Sequence, residues 1–205
     1  MVGIDENKKT FLIHEDLLCR ESDKFNLQLR GPFKEAKTGK IPDCEEDPAH
    51  FAFFGEYLYR DGWVEKDGQI EHSSEWVLLA RLYAMGERIG AKRFQDACLW
   101  KFLRHFTRDS QIADSEVCQL LEIIVTELPE RNDNENPLRS VVLWYAASKL
   151  SRLQKYSAFK NHLLNSYPDL GGQILMWAGD IASQNKPVQL TSKPASRFLD
   201  EVEFV

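Results

Sequence analysis

The sequence predicts an α+β front half, a small sheet wrapped by helices, followed by an all-helical back half. Three observations carry that fold class. Two short apolar runs, residues 2–4 and 10–13, flank the polar stretch Asp5-Glu6-Asn7-Lys8-Lys9, the pattern of a hairpin. From Phe51 onward apolar residues recur every three or four positions, the period of a helix that buries one face. Beyond residue 111 that period is the only one present.

Taken in order, residues 14–29 read as helical with a break at Ser22, whose side chain can cap a second short helix that ends near Gly31-Pro32. Residues 38–42 read as a third strand around Ile41. Asp47-Pro48 starts a helix well, because the aspartate accepts free amides and proline suits the first turn. Phe51, Phe54, Tyr57 and Leu58 form its stripe. Residues 60–75, with Gly62, Gly68 and Ser73-Ser74, read as a loop. Trp76, Leu79, Ala80, Tyr83 and Ala84 then share one helix face; Phe94, Ala97, Cys98 and Leu103, with Phe102 alongside, share another, and Gly90 is the cap between them. In the back half the stripes are Val117, Leu120, Leu121, Ile124 and Leu128; Val141, Val142, Trp144, Tyr145 and Leu150; Phe159, Leu163 and Leu164; and Ile174, Leu175, Trp177 and Ile181. Gly171-Gly172 reads as a turn between helices.

Composition narrows the function classes. The chain has 205 residues, 43% of them hydrophobic, enough for one large or two small cores. No apolar run approaches the roughly 20 residues of a membrane span, and no charged start leads into an apolar core, so neither a membrane partner nor a secretory signal is expected. Cys19, Cys44, Cys98 and Cys118 are irregularly spaced and read as reduced thiols in a cytoplasmic or nuclear protein. The net charge is −6, and residues 111–140 hold seven acids against Arg131 and Arg139, the pattern of a solvated helix face and loop. A nucleic-acid partner is not expected. The sequence has no phosphate-binding Gly-x-x-x-x-Gly-Lys, no dinucleotide fingerprint and no Gly-x-Ser-x-Gly elbow. His50, His72, His105 and His162 stand singly, without metal-ligand spacing. No catalytic residue, metal or cofactor is expected.

The run Phe11-Leu12-Ile13-His14, then Leu17-Leu18, then Ser22-Asp23-Lys24-Phe25, resembles the signature of the BTB/POZ domain. Leu82-Tyr83, Gly86, Ile89-Gly90 and Phe94 are similar to its terminal helix pair, and Asn136-Pro137-Leu138-Arg139 with Trp144-Tyr145-Ala146 is similar to the extension of fungal-type members. The resemblance implies a BTB/POZ-like domain over residues 1–107 and a helical extension over 108–184; residues 185–205, with two prolines and small polar residues, read as a mobile tail. The resemblance also implies a protein–protein interaction module, a substrate-recruiting adaptor for a cullin-3 ubiquitin ligase; the alternative is a self-associating or regulatory protein with no ligase role. Phe33-Lys34-Glu35 lies where cullin-binding members carry an apolar–x–Glu motif, so Phe33 and Glu35 are the expected partner-binding residues. The bland reading of Phe33 is a core residue closing its helix against the next strand. Leu17, on the first helix, is the expected homodimer contact. His14 is expected to be a buried structural cap.

Overall fold

The computed structural model describes residues 1–3, 5–41, 44–60, 72–108, 112–129 and 136–183. The chain divides into two compact units, Met1–Arg108 and Asp109–Val205. In the first unit a short 3-10 turn, Asp5–Asn7, precedes α1 (Glu15–Glu21), α2 (Asp23–Arg30), α3 (Lys34–Thr38), α4 (Pro48–Arg60), α5 (His72–Arg88) and α6 (Lys92–Arg108). In the second, α7 (Asp114–Thr126), α8 (Pro137–Ser148) and α9 (Leu150–Leu153) lead into a π turn (Phe159–Leu163), then α10 (Leu164–Ser166) and α11 (Pro168–Ser183).

The expected α+β class is therefore corrected: among the described residues the protein is helical, without a strand or a sheet. What remains of the hairpin is an isolated antiparallel bridge, Val2 to Lys9, with one parallel bridge from Val2 to Cys44. The pairing stops there for local reasons. Gly3 sits at φ 112°, where a Cβ would meet the Asn7 carbonyl oxygen at 2.9 Å, and the chain coils at once into the 3-10 turn. Past Lys9, Phe11 turns its ring onto Phe51 (5.1 Å between centroids) while Leu12 is 92% exposed, so no ladder is continued. The expected strand at 38–41 is lost to α3, built from the good helix formers Lys34, Glu35, Ala36 and Lys37 and closed by Gly39 in the left-handed region at φ 61°. The Ile41 carbonyl accepts from the Met1 ammonium at 2.7 Å. Residue 42 lies outside the described residues.

The helices themselves follow their local signals. Ser22 accepts from the Phe25 amide, Asp47 from the Ala49 amide and Asn136 from the Arg139 amide, each satisfying a donor that a helix start leaves free. Phe51, Phe54 and Leu58 of α4 are buried and Tyr57 half-buried. Phe54 touches Phe51 and Phe94 edge-on, Phe51 reaches Phe25 of α2, and Phe94 of α6 meets Tyr57. One aromatic cluster thus ties α2, α4 and α6 together. The helices α5 and α6 pack on each other across the Gly90 turn, with Phe94, Cys98, Leu99 and Phe102 inward and Ala97 and Leu103 at the margin. The expected 60–75 loop is shortened, since α5 begins at His72; residues 61–71 lie outside the described set.

In the second unit α8 packs against α7 and α11. Leu120, Leu121, Ile124, Leu138, Val142, Leu143, Phe159, Leu170 and Ile174 fill the space between. Two expectations change here. Gly171-Gly172 is not a turn but lies inside α11, and Leu175 is exposed, because the buried line of that helix runs through Leu170 and Ile174. Residues 184–205, including the expected tail, lie outside the described residues.

Ser22 holds the front unit together beyond its cap. It is 1% exposed, and its hydroxyl donates to the Ile89 carbonyl at 2.5 Å while accepting from Phe25; the Asp23 amide donates to the Gly90 carbonyl at 3.1 Å. The α1–α2 corner is thereby pinned to the α5–α6 turn. Alanine at position 22 removes a cap worth about 1 kcal/mol and leaves two buried backbone groups without a partner, so a loss of about 2–3 kcal/mol is expected in urea unfolding. A change below about 0.5 kcal/mol would show that the corner is held by packing alone.

Candidate functional site

The surface that the sequence singles out is the corner made by α2, α3 and the turn between them. The second helix ends at Gly31, whose amide donates to the Leu27 carbonyl at 2.9 Å. Pro32 cannot extend the helix, and Phe33 restarts the chain as the extended residue ahead of α3 (φ −92°, ψ 166°). Gly31 has no room for a side chain: a Cβ there would press on the Leu27 carbonyl oxygen and lie 3.2 Å from Phe33 Cδ2. Phe33 and the α2 terminus are therefore in close contact.

Phe33 is 46% exposed, which removes the core reading in which it closes the helix against a strand. Glu35 is half-buried in the first turn of α3, a position where the helix dipole favours a carboxylate. Leu17, the expected dimer contact, is half-buried on α1, whose Leu18, Cys19 and Glu21 face inward. The buried Glu21 carboxylate accepts from Arg20 Nε at 3.1 Å and from Arg93 at 3.0 Å, and Glu46 takes a bidentate grip from Arg88, the closest bond being 2.7 Å. These carboxylates anchor the frame that carries the corner.

His14 departs from expectation. It precedes α1 as predicted, but its ring is exposed and caps nothing. Instead its Nδ1 pairs with the Tyr59 hydroxyl at 2.8 Å, and its backbone amide donates to the same oxygen at 3.1 Å. The chain is extended at His14 (φ −62°, ψ 130°), and the ring meets Tyr59, at the end of α4, edge-on at 5.7 Å between centroids.

Reading by motif missed a feature of the same corner. Lys24, Arg30, Lys34, Lys37 and Lys40 are exposed around Leu27, itself 59% exposed, and Phe33. The signal was in the charge count, five cations against Glu35 within residues 24–40, but it is diluted when charge is summed over the acidic chain. In the acidic stretch, Asp114 and Glu116 sit in the first turn of α7, where Glu116 accepts from the Ala113 amide at 3.2 Å, and Asp114 contacts Arg152 at 2.6 Å. Glu130, Asp133 and Glu135 lie outside the described residues.

All four cysteines are free thiols. Burial raises each of them above the ordinary value; Cys118, beside Asp114 and Glu122, is pushed up to about 11, chiefly by burial, and Cys98 further still. They are poor nucleophiles at neutral pH. A folded-state pKa above the unfolded one stabilises the protein below the unfolded value, and that stability is lost as pH rises through the folded value. The urea midpoint is therefore expected to fall between pH 9.0 and about 11, and to fall less in Cys118→Ser. Identical alkaline slopes in the two proteins would remove Cys118 from the linkage.

Among the described residues, no group of three or more His, Cys, Asp or Glu could hold a metal ion, and no helix is long and apolar enough to cross a membrane. The chain was compared with family models, curated proteins and solved structures, and nothing matches it.

Proposed function

We propose that the chain is a protein-interaction module of the BTB/POZ kind, acting as a substrate-recruiting adaptor for a cullin-3 ubiquitin ligase. The observation that carries the reading is Phe33: an aromatic ring 46% exposed at the corner between α2 and α3, with Glu35 two residues on, in the position that the motif resemblance assigns to the docking residues. Large aromatic anchors beside charged neighbours are how compact hot spots are built. The proposal stands on this helical corner and on the residues of 11–36, without appeal to a sheet. The second unit would then be free to hold the substrate.

Calorimetric titration with the cullin-3 N-terminal region tests it. Binding at tens of micromolar or tighter is expected, with a loss of about tenfold or more in Phe33→Ala/Glu35→Ala, the scale of one hot-spot truncation. An absence of heat with the parent protein would discard the ligase role. The alternative, a self-associating scaffold with no ligase role, draws on Leu12, 92% exposed immediately ahead of α1, and on Leu17 beyond it. It predicts a concentration-dependent dimer in sedimentation that Leu17→Glu abolishes; a monomer at every concentration would exclude it.

A further inference from the structure

The corner around Phe33 is basic in a chain that is otherwise acidic. Residues 24–40 hold Lys24, Arg30, Lys34, Lys37 and Lys40 against Glu35, while the whole chain carries −6. Arg30 is engaged by Asp16 at 2.5 Å and Glu15 at 3.8 Å. Lys34, Lys37 and Lys40 are exposed and form no ion pair among the described residues. Out of this basic ground stand two large apolar side chains, Leu27 and Phe33, 59% and 46% exposed. Gly31 lies between them in the chain, and a Cβ there would meet both the Leu27 carbonyl oxygen and the Phe33 ring. Lys24 and Leu27 lie on one face of α2 at i, i+3, and Lys37 is one turn beyond Phe33.

We propose that this pair of anchors docks an acidic amphipathic segment of a partner protein, its apolar side chains on Leu27 and Phe33 and its carboxylates toward Lys34, Lys37 and Lys40. The proposal rests on the reading of Phe33 as an interface residue and names the chemistry of what it meets. Charge complementarity chooses the occupant. A basic segment would be repelled at the rim, and an uncharged apolar one would leave three lysines without a counter-charge. A nucleic acid could satisfy the lysines and stack one base on Phe33, but the aliphatic Leu27 offers a second base no ring, and the acid-rich remainder of the chain repels phosphates.

The test is fluorescence anisotropy of the full chain with a labelled synthetic helix of glutamates carrying leucine and phenylalanine at i, i+4. Saturable binding is expected. It should weaken about tenfold or more in Leu27→Ser and, separately, in Lys34→Glu/Lys37→Glu, and be unchanged in the second-unit control Lys155→Glu/Lys160→Glu. These are surface positions, and circular dichroism with urea unfolding confirms that each variant folds. Absence of saturation, indifference to Leu27→Ser, an equal loss in the second-unit control, or tighter binding of a labelled single-stranded oligonucleotide would each overturn the proposal. The ligase reading fails separately. A chain that binds the acidic helix but not cullin-3 keeps this surface and loses the ligase. One that binds cullin-3 undiminished in Leu27→Ser and Lys34→Glu/Lys37→Glu keeps the ligase and loses this surface.

Discussion

Phe54→Ala is expected to destabilise the front unit by about 3–5 kcal/mol, a large share of the roughly 5–15 kcal/mol that holds an ordinary domain folded. Phe54 is fully buried, with ring centroids 5.7 Å from Phe51 and 5.1 Å from Phe94, both edge-on. Truncation removes the transfer energy of the ring and leaves a void whose walls are themselves rings. Those rings cannot collapse into it, since Phe51 is held by Phe11 and Phe25 and Phe94 by Tyr57. Melting is expected on the order of 10 °C earlier. Phe54→Leu, which refills much of the space, should recover more than half of the loss. A cost under about 1 kcal/mol for alanine would mean that the cluster is loosely packed.

The same cluster shows which parts of the fold were legible in the sequence. The stripe Phe51, Phe54, Tyr57, Leu58 could be read directly, because helical periodicity and the Asp47-Pro48 start are local properties of consecutive residues. Ser22 was equally legible as a cap; the cap at Asn136 was seen only in the structure. The sheet was misread because a strand is defined by its partner. Apolar β-branched residues at 2–4 and 10–13 look like strands in isolation, yet the backbone of Gly3 and the attraction of Phe51 for the Phe11 ring decide against a ladder. Gly171-Gly172 was misread for the opposite reason. Glycine disfavours a helix by about 1 kcal/mol per residue, but burying Leu170 and Ile174 on either side outweighs that cost. At the candidate site, Phe33 and Glu35 were visible as a motif. The exposed Leu27 and the lysines around it were not, because exposure at the end of α2 depends on where Gly31 lets the chain turn.

Arg139→Met is expected to cost the second unit about 3 kcal/mol, although methionine keeps most of the side-chain volume. In the sequence Arg139 stands out only as one of two cations in the acidic stretch 111–140 and as the end of the Asn136-Pro137-Leu138-Arg139 run, yet it is 4% exposed. Its guanidinium donates to the Ile124 carbonyl at 3.1 Å and to Gln173 Oε1 at 3.2 Å, joining α8 to the last turn of α7 and to α11. That last turn has carbonyls with no amide ahead of them, and its dipole end favours a cation, so the arginine supplies both the donor and the charge that the terminus lacks. Methionine would fill the space but leave the buried Ile124 carbonyl, and the half-buried Gln173 oxygen, without this donor. Lysine, with its charge but without the planar fork, should recover only part of the loss. Because the side chain is 4% exposed, the stability difference between the parent protein and Arg139→Met should change little between about 0.05 and 0.5 M salt, where a surface ion pair would be screened. If Arg139→Met unfolds within about 0.5 kcal/mol of the parent, packing alone joins these helices and the guanidinium bonds add nothing net; if the difference collapses in salt, the side chain acts as a surface charge.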